Sequence, residues 1–352
     1  KLAERFEKIA MRVHCGTHFD ETAEACVWHV PAAHYLESWG DGRAYDGTLS
    51  LRQPLIAPLY GGKPTLELVA ALRGALGQTA YDLVRTYWRE NSGAADFEAW
   101  WRSALHDGFV RDSAPAPQSV HLALDYKSLP APKESSGIEV VLRPDPSIYD
   151  GRFANNGWLQ ELPKPITKLT WDNAVHLSPG LAQRLGLRDE DEVAVEFNGH
   201  KVVGGAVIVP GHADESVTVH FGYGRRMAGR VGNGLGFSVA HLQSVSAPWQ
   251  CSGAKVQRTG RRYPLARTQM HFNMENRHLV RTATLAEYEK DPNFVAHVAH
   301  EPPPASLYPP HKYDGYTWGM AVNLAACIGC NACVVACQAE NNIPVVGKDQ
   351  VS

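Results

Sequence analysis

The stretch Glu192-Val193-Ala194-Val195-Glu196-Phe197-Asn198-Gly199, with its apolar return Val202–Val209, decides the fold. Val193, Val195 and Phe197 recur at period two, so they share one face of a strand. Asn198-Gly199 is a two-residue hairpin turn, because both of its positions need a positive φ that Asn and Gly reach at least cost. Upstream, Ile138 begins a stretch of period two in which Val140 and Leu142 open a strand. Downstream, Pro210-Gly211 turns the chain and Val217–Phe221 reads as a further strand. A single helix is inserted between them. Ser178 is its N-cap, Pro179 its first residue, and Gly186 the left-handed stop after Leu185. Short strands around one helix predict a closed β-barrel over residues 138–250.

The N-terminal 113 residues have a different pattern, predicted as an α/β piece. Leu2–Ala10 has helical spacing, Met11–Phe19 reads as a short strand, and Ala23–Pro31 as a buried one. Tyr35–Tyr60, rich in Gly, Pro and aromatics, reads as irregular but ordered. Thr65–Leu76 is an amphipathic helix with Thr65 as its cap, and Ala80–Arg89 and Asp96–Leu105 repeat the pattern. Trp88, Trp100 and Trp101 fall at helical spacing and are expected in a core or a subunit contact. Residues 114–137 form a linker bracketed by Ala114–Gln118 and Pro130–Gly137, with Val120–Leu124 as a candidate strand between them. Residues 251–315 read as an extended connector, with a short helix at Ala283–Tyr288 and five prolines in Glu301–Pro310. The last module, 316–352, contains the cysteines.

Composition bounds the rest. The chain has 352 residues, 44% hydrophobic and 20% charged, with 34 Lys+Arg against 37 Asp+Glu and a net charge of −3. That is ordinary for a globular protein of two or three domains and excludes a largely disordered or collagen-like chain. No broad basic footprint points to nucleic acid. No stretch of about 18 apolar residues predicts a membrane span. The chain starts at Lys1 without a basic-then-apolar leader and stops soon after the cysteines, which reads as a piece of a longer polypeptide.

Four of the 7 cysteines fall at Cys327-x2-Cys330-x2-Cys333-x3-Cys337. A disulfide framework would spread them through the chain, whereas thiols this dense indicate a metal. Zinc sites usually use two CxxC pairs with a longer gap between them. Even two-residue gaps favour a [4Fe–4S] cluster over zinc or free thiols, and in the bacterial ferredoxin pattern the fourth cysteine serves the other cluster. Two features depart from that pattern. Gln338 stands where Pro usually follows the fourth cysteine, and no second cysteine run is present. Either Cys337 closes a single cluster, or the missing ligands lie beyond Ser352. The second is the expectation.

Other groups carry both a chemical and a plain reading. Gly222, Gly224, Gly229, Gly232, Gly234 and Gly236 run among Arg225, Arg226 and Arg230. Backbone N–H groups and guanidinium forks suit a pyrophosphate, which makes Gly222, Gly224, Arg225 and Arg230 candidate pterin-type ligands. The plain reading is a barrel-closing loop that needs tight turns. His14, Cys15, His18, Cys26, His29 and His34 form a possible metal set, but match no standard zinc spacing. Glu37 with Asp41 reads as loop hydrogen bonding, and Asp189–Glu192 as a solvated turn.

These residues carry a resemblance. Trp318–Lys348, with Cys327-Ile-Gly-Cys330-Asn-Ala-Cys333-Val-Val-Ala-Cys337 and the tail Glu340-Asn-Asn-Ile-Pro344-Val-Val-Gly-Lys348, resembles the first iron–sulfur motif of electron-transfer subunits that accompany molybdopterin oxidoreductases. It is most similar to the B subunit of alternative complex III, where a molybdopterin-oxidoreductase-like region precedes a ferredoxin region. Asp20-Glu21-Thr22-Ala23, Pro31 and Glu37–Asp41 resemble the segment closing the catalytic-type domain of molybdopterin oxidoreductases. Residues 138–242, with Leu177-Ser178-Pro179, Leu185–Asp189 and Gly222-Tyr-Gly-Arg225, resemble their dinucleotide-binding double-psi β-barrel. The implied fold is an α/β fragment, that barrel, and the start of a ferredoxin-like module.

The resemblance implies an iron–sulfur electron carrier on a molybdopterin-type scaffold, without molybdopterin. It implies a membrane quinol-oxidising subunit and cytochrome c subunits as partners, at the periplasmic face of the bacterial inner membrane. Two other functions stay open: a fragment of a true molybdopterin-dependent oxidoreductase, and a structural docking module with no bound cluster.

Overall fold

The computed structural model describes residues 2–121, 123–129, 137–245, 247–268, 274–298 and 306–351. The N-terminal region begins with α1 (Leu2–Phe6) and a parallel strand pair, β1 (Val13–Gly16) with β2 (Trp28–Pro31), joined through α2 (Glu21–Glu24). Asp20 caps α2 by accepting the N–H groups of Thr22 and Ala23. β3 (Gly40–Arg43) and β4 (Leu49–Arg52) form an antiparallel hairpin inside the segment expected to be irregular. Three helices follow: α3 (Thr65–Leu72), α4 (Ala80–Asn91) and α5 (Phe97–Asp107). Trp88 and Trp101 are buried in a core with Leu49, Leu51 and Val84, and Trp100 packs against it, as the helical spacing of the tryptophans implied.

Three local expectations are corrected here. The second strand is shorter than Ala23–Pro31 and only half-buried, because it pairs on one edge with β1 alone. Thr65 is the first helical residue of α3. Pro64 occupies the cap and makes no side-chain bond. The described residues of Val120–Leu124 form no strand, and residue 122 lies outside the described residues.

The barrel forms from β5 (Ile138–Arg143), β7 (Val175–Leu177), β8 (Asp191–Phe197), β9 (His200–Ile208), β10 (Ser216–His220) and β11 (Gln250–Arg262). It closes in the order β10-β5-β11-β8-β9-β7. β5 runs parallel to β10 and β7 parallel to β9, while the remaining pairs are antiparallel. β6 (Leu169–Thr170) and β12 (Ala266–Arg267) pair beside it. The inward side chains Val140, Leu142, Val175, Leu177, Val193, Val195, Val217 and Val219 are all at most 1% exposed, so this is the main core. Asn198 (φ 49°) and Gly199 (φ 77°) make the expected turn between β8 and β9. α7 (Pro179–Leu185) has Ser178 bonded to the Leu181 N–H and Gly186 in the left-handed conformation, as its sequence demanded.

The barrel extends further than its expected end at 250. β11 continues to Arg262, pairing first with β5 and then with β8 through a register shift, so the predicted connector begins as a barrel strand. Bulged pairing breaks the period-two pattern, which is why this strand was not visible in the sequence. Beyond it lie α9 (Leu285–Lys290) and α10 (Phe294–Val298). Residues 301–305 of the proline-rich run lie outside the described residues. The thiol module has two short helices, α11 (Ala332–Glu340) and α12 (Lys348–Val351). Two more sit beside the barrel, α6 (Gly157–Glu161) and α8 (Gly229–Gly232). Among the described residues no helix is long and apolar enough to cross a membrane.

Candidate functional site

The four clustered cysteines lie on a loop and the helix after it. Cys327 and Cys330 precede Asn331, which takes a left-handed φ of 61° and starts α11. Cys333 and Cys337 are four residues apart on α11, hence on one helical face. All four are exposed. They supply the donor chemistry of an iron–sulfur cluster. As placed, however, their sulfurs do not converge: among the described residues no three His, Cys, Asp or Glu side chains are grouped to hold a metal ion. No step through a cluster follows from this arrangement.

The same observation covers the N-terminal His/Cys set. His14 and His29 stack with ring centroids 5.1 Å apart, and their Nδ1 atoms are 2.9 Å apart. They form a pair, with Phe19 edge-on to His29 and Asp20 Oδ1 3.5 Å from His14 Nε2, but among the described residues no group of three that could hold a metal results. Glu37 is a loop-bonding residue, accepting the N–H groups of His34 and Leu59. Asp41 accepts the Trp88 indole N–H at 2.6 Å. Asp191 is fully buried beneath Arg258 and Arg262 rather than solvated as expected, because β11 crosses it.

The glycine–arginine loop has a structural role. Arg225 donates to Glu21 Oε2 at 2.7 Å and to the Gly151 carbonyl at 2.9 Å. Glu21 Oε1 accepts the Arg226 and Met227 N–H groups at 3.0 and 3.1 Å. The carboxylate therefore occupies the anion position that the loop offers. Gly224 (φ +70°) lies so close to Ser238 that an added Cβ would fall 2.1 Å from its backbone nitrogen, and at Gly222 one would come within 3.0 Å of the Gly151 nitrogen. A cleft of about 440 Å³ opens beside the loop, walled in part by Tyr149, Phe221 and Trp249. Arg152 at its rim is paired with Asp150. Arg230 is exposed on α8 and forms no ion pair among the described residues. Gly222, Gly224 and Arg225 thus do not fit a pyrophosphate cradle, and the plain reading of the loop is the one the geometry supports.

No sequence signal marks the polar network buried under one end of the barrel. Lys164, 3% exposed, lies 3.4 Å from Asp145 Oδ2 and donates to the Tyr223 hydroxyl at 2.9 Å. Asp145 Oδ1 accepts the N–H groups of Ser147 and Ile148. His176 and His220 sit with ring centroids 4.9 Å apart. Burial holds the Lys164 ammonium below its usual range, though Asp145 opposes this. It pushes the His176 imidazolium well down and His220 down to about 4. Burial also raises the Tyr223 phenol well above its normal value. His176 Nε2 and His220 Nδ1 are buried with no hydrogen-bond partner among the described residues. Isolated Lys, His and Asp residues of this kind carry no spacing signature, so only the tertiary structure could gather them.

Asp172 is the second buried carboxylate at this end. Its Oδ1 accepts from the Tyr263 hydroxyl at 3.0 Å, and its Oδ2 lies 2.5 Å from Lys348 Nζ. The thiol module supplies that lysine and adds further contacts. Trp158 donates its indole N–H to the Ile343 carbonyl at 2.6 Å, and Asn331 donates to the Pro163 carbonyl at 2.9 Å. Glu161 accepts the N–H groups of Val346 and Gly347 at 3.1 and 2.8 Å.

No protein-family model matches the chain. The thiosulfate reductase molybdopterin-containing subunit PhsA of Salmonella typhimurium is 22% identical over 271 residues, covering 64% of this chain and 36% of that protein. The menaquinone reductase molybdopterin-binding-like subunit of Nitratidesulfovibrio vulgaris is 24% identical over 274 residues, covering 71% of this chain and 38% of that one. A 26-residue stretch, 7% of the chain, is 69% identical to the menaquinone reductase iron–sulfur cluster-binding subunit of the same organism and covers 10% of it. In fold, acetylene hydratase from Pelobacter acetylenicus matches with a TM-score of 0.54 at 14% identity, over 71% of this chain and 40% of that one. The chain thus spans little more than a third of the length of the two molybdopterin-type relatives. Its distant homologues are molybdopterin-containing or molybdopterin-binding-like oxidoreductase subunits, one of them from a menaquinone reductase, and its six-stranded barrel agrees with that fold.

Proposed function

We propose that this chain is an electron-transfer component of a multi-subunit, quinol-oxidising respiratory oxidoreductase of the alternative complex III type. In this reading its barrel is a double-psi, molybdopterin-type scaffold that carries no molybdenum. The observation that carries the reading is the presence, on one polypeptide, of a molybdopterin-type barrel and the Cys327/Cys330/Cys333/Cys337 run. In the menaquinone reductase relatives the two corresponding parts are named as separate subunits. Cys327, Cys330 and Cys333 are the proposed donors to a [4Fe–4S] cluster, and Cys337 to a neighbouring one. Such a cluster supplies one-electron transfer, while the protein provides ligation, burial and position. The proposed partners are a membrane quinol-oxidising subunit and cytochrome c subunits at the periplasmic face of the inner membrane. Arg225 held by Glu21, and two glycines packed on backbone, support the absence of a bound pterin.

The names of the relatives favour a second reading, a true molybdopterin-dependent oxidoreductase. One experiment separates the two. The protein is purified without oxygen, and iron, acid-labile sulfide, zinc and molybdenum are measured per chain. Iron with sulfide and no molybdenum is the expected result. Molybdenum in stoichiometric amount moves the assignment to the second reading, and zinc without iron overturns the first.

A further inference from the structure

The barrel end holds two buried carboxylates, Asp145 and Asp172, each 2% exposed. Its own buried ammonium, Lys164, faces Asp145. Asp172 therefore needs a second cation, since a buried carboxylate left unpaired is strongly destabilising. Among the described residues that ion pair is made by Lys348, which also lies 5.1 Å above the Tyr263 ring, whose hydroxyl holds the other Asp172 oxygen. Lys348 lies eleven residues beyond the last thiol, Cys337, so the cation comes from the cysteine module and not from the barrel.

We propose that Lys348 is the positioning residue that locks the thiol module onto the barrel, and that the face formed by Trp158, Glu161 and Asp172 is the seat of that module. That this module holds an iron–sulfur cluster rests on the function proposed above; the docking itself does not. Both ends of the thiol helix are tied down on this face. Asn331, at the start of α11, is bonded to the Pro163 carbonyl. Past its end, the backbone at Ile343, Val346 and Gly347 is bonded to Trp158 and Glu161. Val345 fits against Gly157, where an added Cβ would approach its side chain to 2.9 Å. Cys333 and Cys337 are thereby held in a fixed orientation to the barrel while remaining exposed. Charge neutralisation makes the docking specific. A module shifted in register would leave Asp172 buried without a cation, while the peptide contacts alone would tolerate a slip.

The test is amide hydrogen exchange on the whole protein. Lys348→Met is expected to speed exchange at Val346 and Gly347 at least about tenfold, with the β8 core amides of Val193 and Val195 unchanged. Adding Asp172→Asn is expected to restore most of the protection, because an amide needs no cation. Lys348→Arg is expected to keep it. The proposal is overturned if Lys348→Met leaves Val346 and Gly347 unchanged, if core amides accelerate equally, or if the two substitutions simply add. Metal content is not the readout, so failure of the electron-transfer reading leaves this result standing, and the converse also holds.

Discussion

Glu21 and Arg225, 204 residues apart in sequence, form the ion pair that joins the N-terminal region to the barrel loop. Burial alone would raise the Glu21 carboxyl. The Arg225 hydrogen bond and the backbone N–H groups of Met227 and Arg226 outweigh it and hold the group down to about 2. A second pair lies beside it, Arg226 of the same loop with Glu24 of the same helix, α2. The loop geometry that would suit a phosphate is here used to fasten two regions of the fold.

A carboxylate held below its unfolded value stabilises the native state above that value, and the gain disappears as pH falls through the folded one. Glu21→Gln is therefore expected to lower stability by about 1–2 kcal/mol at pH 7, after discounting for partial solvent screening. The difference should close between the ordinary glutamate range and about 2. Urea unfolding of both proteins across this range measures it. A gap that is constant with pH would show that the charge is not the cause.

Gly224 and Gly234 separate backbone conformation from crowding. Both have positive φ, but only at Gly224 would a Cβ meet backbone, whereas Gly234 faces open space. Gly234→Ala is expected to cost about 1 kcal/mol, the ordinary penalty for φ > 0 without Gly. Gly224→Ala should cost at least about 3 kcal/mol, since the loop must shift off Ser238. Thermal or urea midpoints of the two variants give the comparison, and equal losses would contradict the crowding seen at Gly224.

His220 makes the barrel acid-sensitive. Burial lowers its imidazole to about 4, with Asp145 acting against this and Lys164 and Arg143 reinforcing it. A histidine that stays neutral in the fold binds fewer protons than the unfolded chain between about 4 and its ordinary value near 6.5. Its contribution is thus complete above about 6.5 and is lost as pH falls toward 4, on the order of 3 kcal/mol. His220→Gln should flatten the pH dependence of unfolding in that window. His176, also held neutral by burial, would leave a residual slope.

Lys164 and Asp145 are coupled. Lys164→Ala leaves the Asp145 carboxylate buried without its cation and is expected to cost about 3–5 kcal/mol. Adding Asp145→Asn should recover a large part, because the neutral amide removes the unpaired charge. A double-mutant cycle read by urea unfolding gives the coupling, and strict additivity would disprove it.

Much of the barrel was legible locally. Ser178, Pro179 and Gly186 delimit α7 through short-range hydrogen bonds and φ preferences, which act within a few residues and survive in any context. Asn198-Gly199 sets its hairpin for the same reason. The thiol spacing was legible as donor chemistry, but the sequence did not show that no three of these side chains are grouped among the described residues. The last barrel strand was missed because its bulged pairing leaves no regular alternation. The Arg225–Glu21 pair was not legible because its two partners lie 204 residues apart in the chain.

The sequence by itself determined the alternating strands of the barrel, the caps of its helix and the dense thiol run, since each depends on neighbours a few residues away. Only the tertiary structure decided which charges meet. Glu21 with Arg225, Lys164 with Asp145, and Lys348 with Asp172 are pairs whose partners are brought together by strand order and burial, and electrostatic energy depends on distance and desolvation, which no linear spacing encodes.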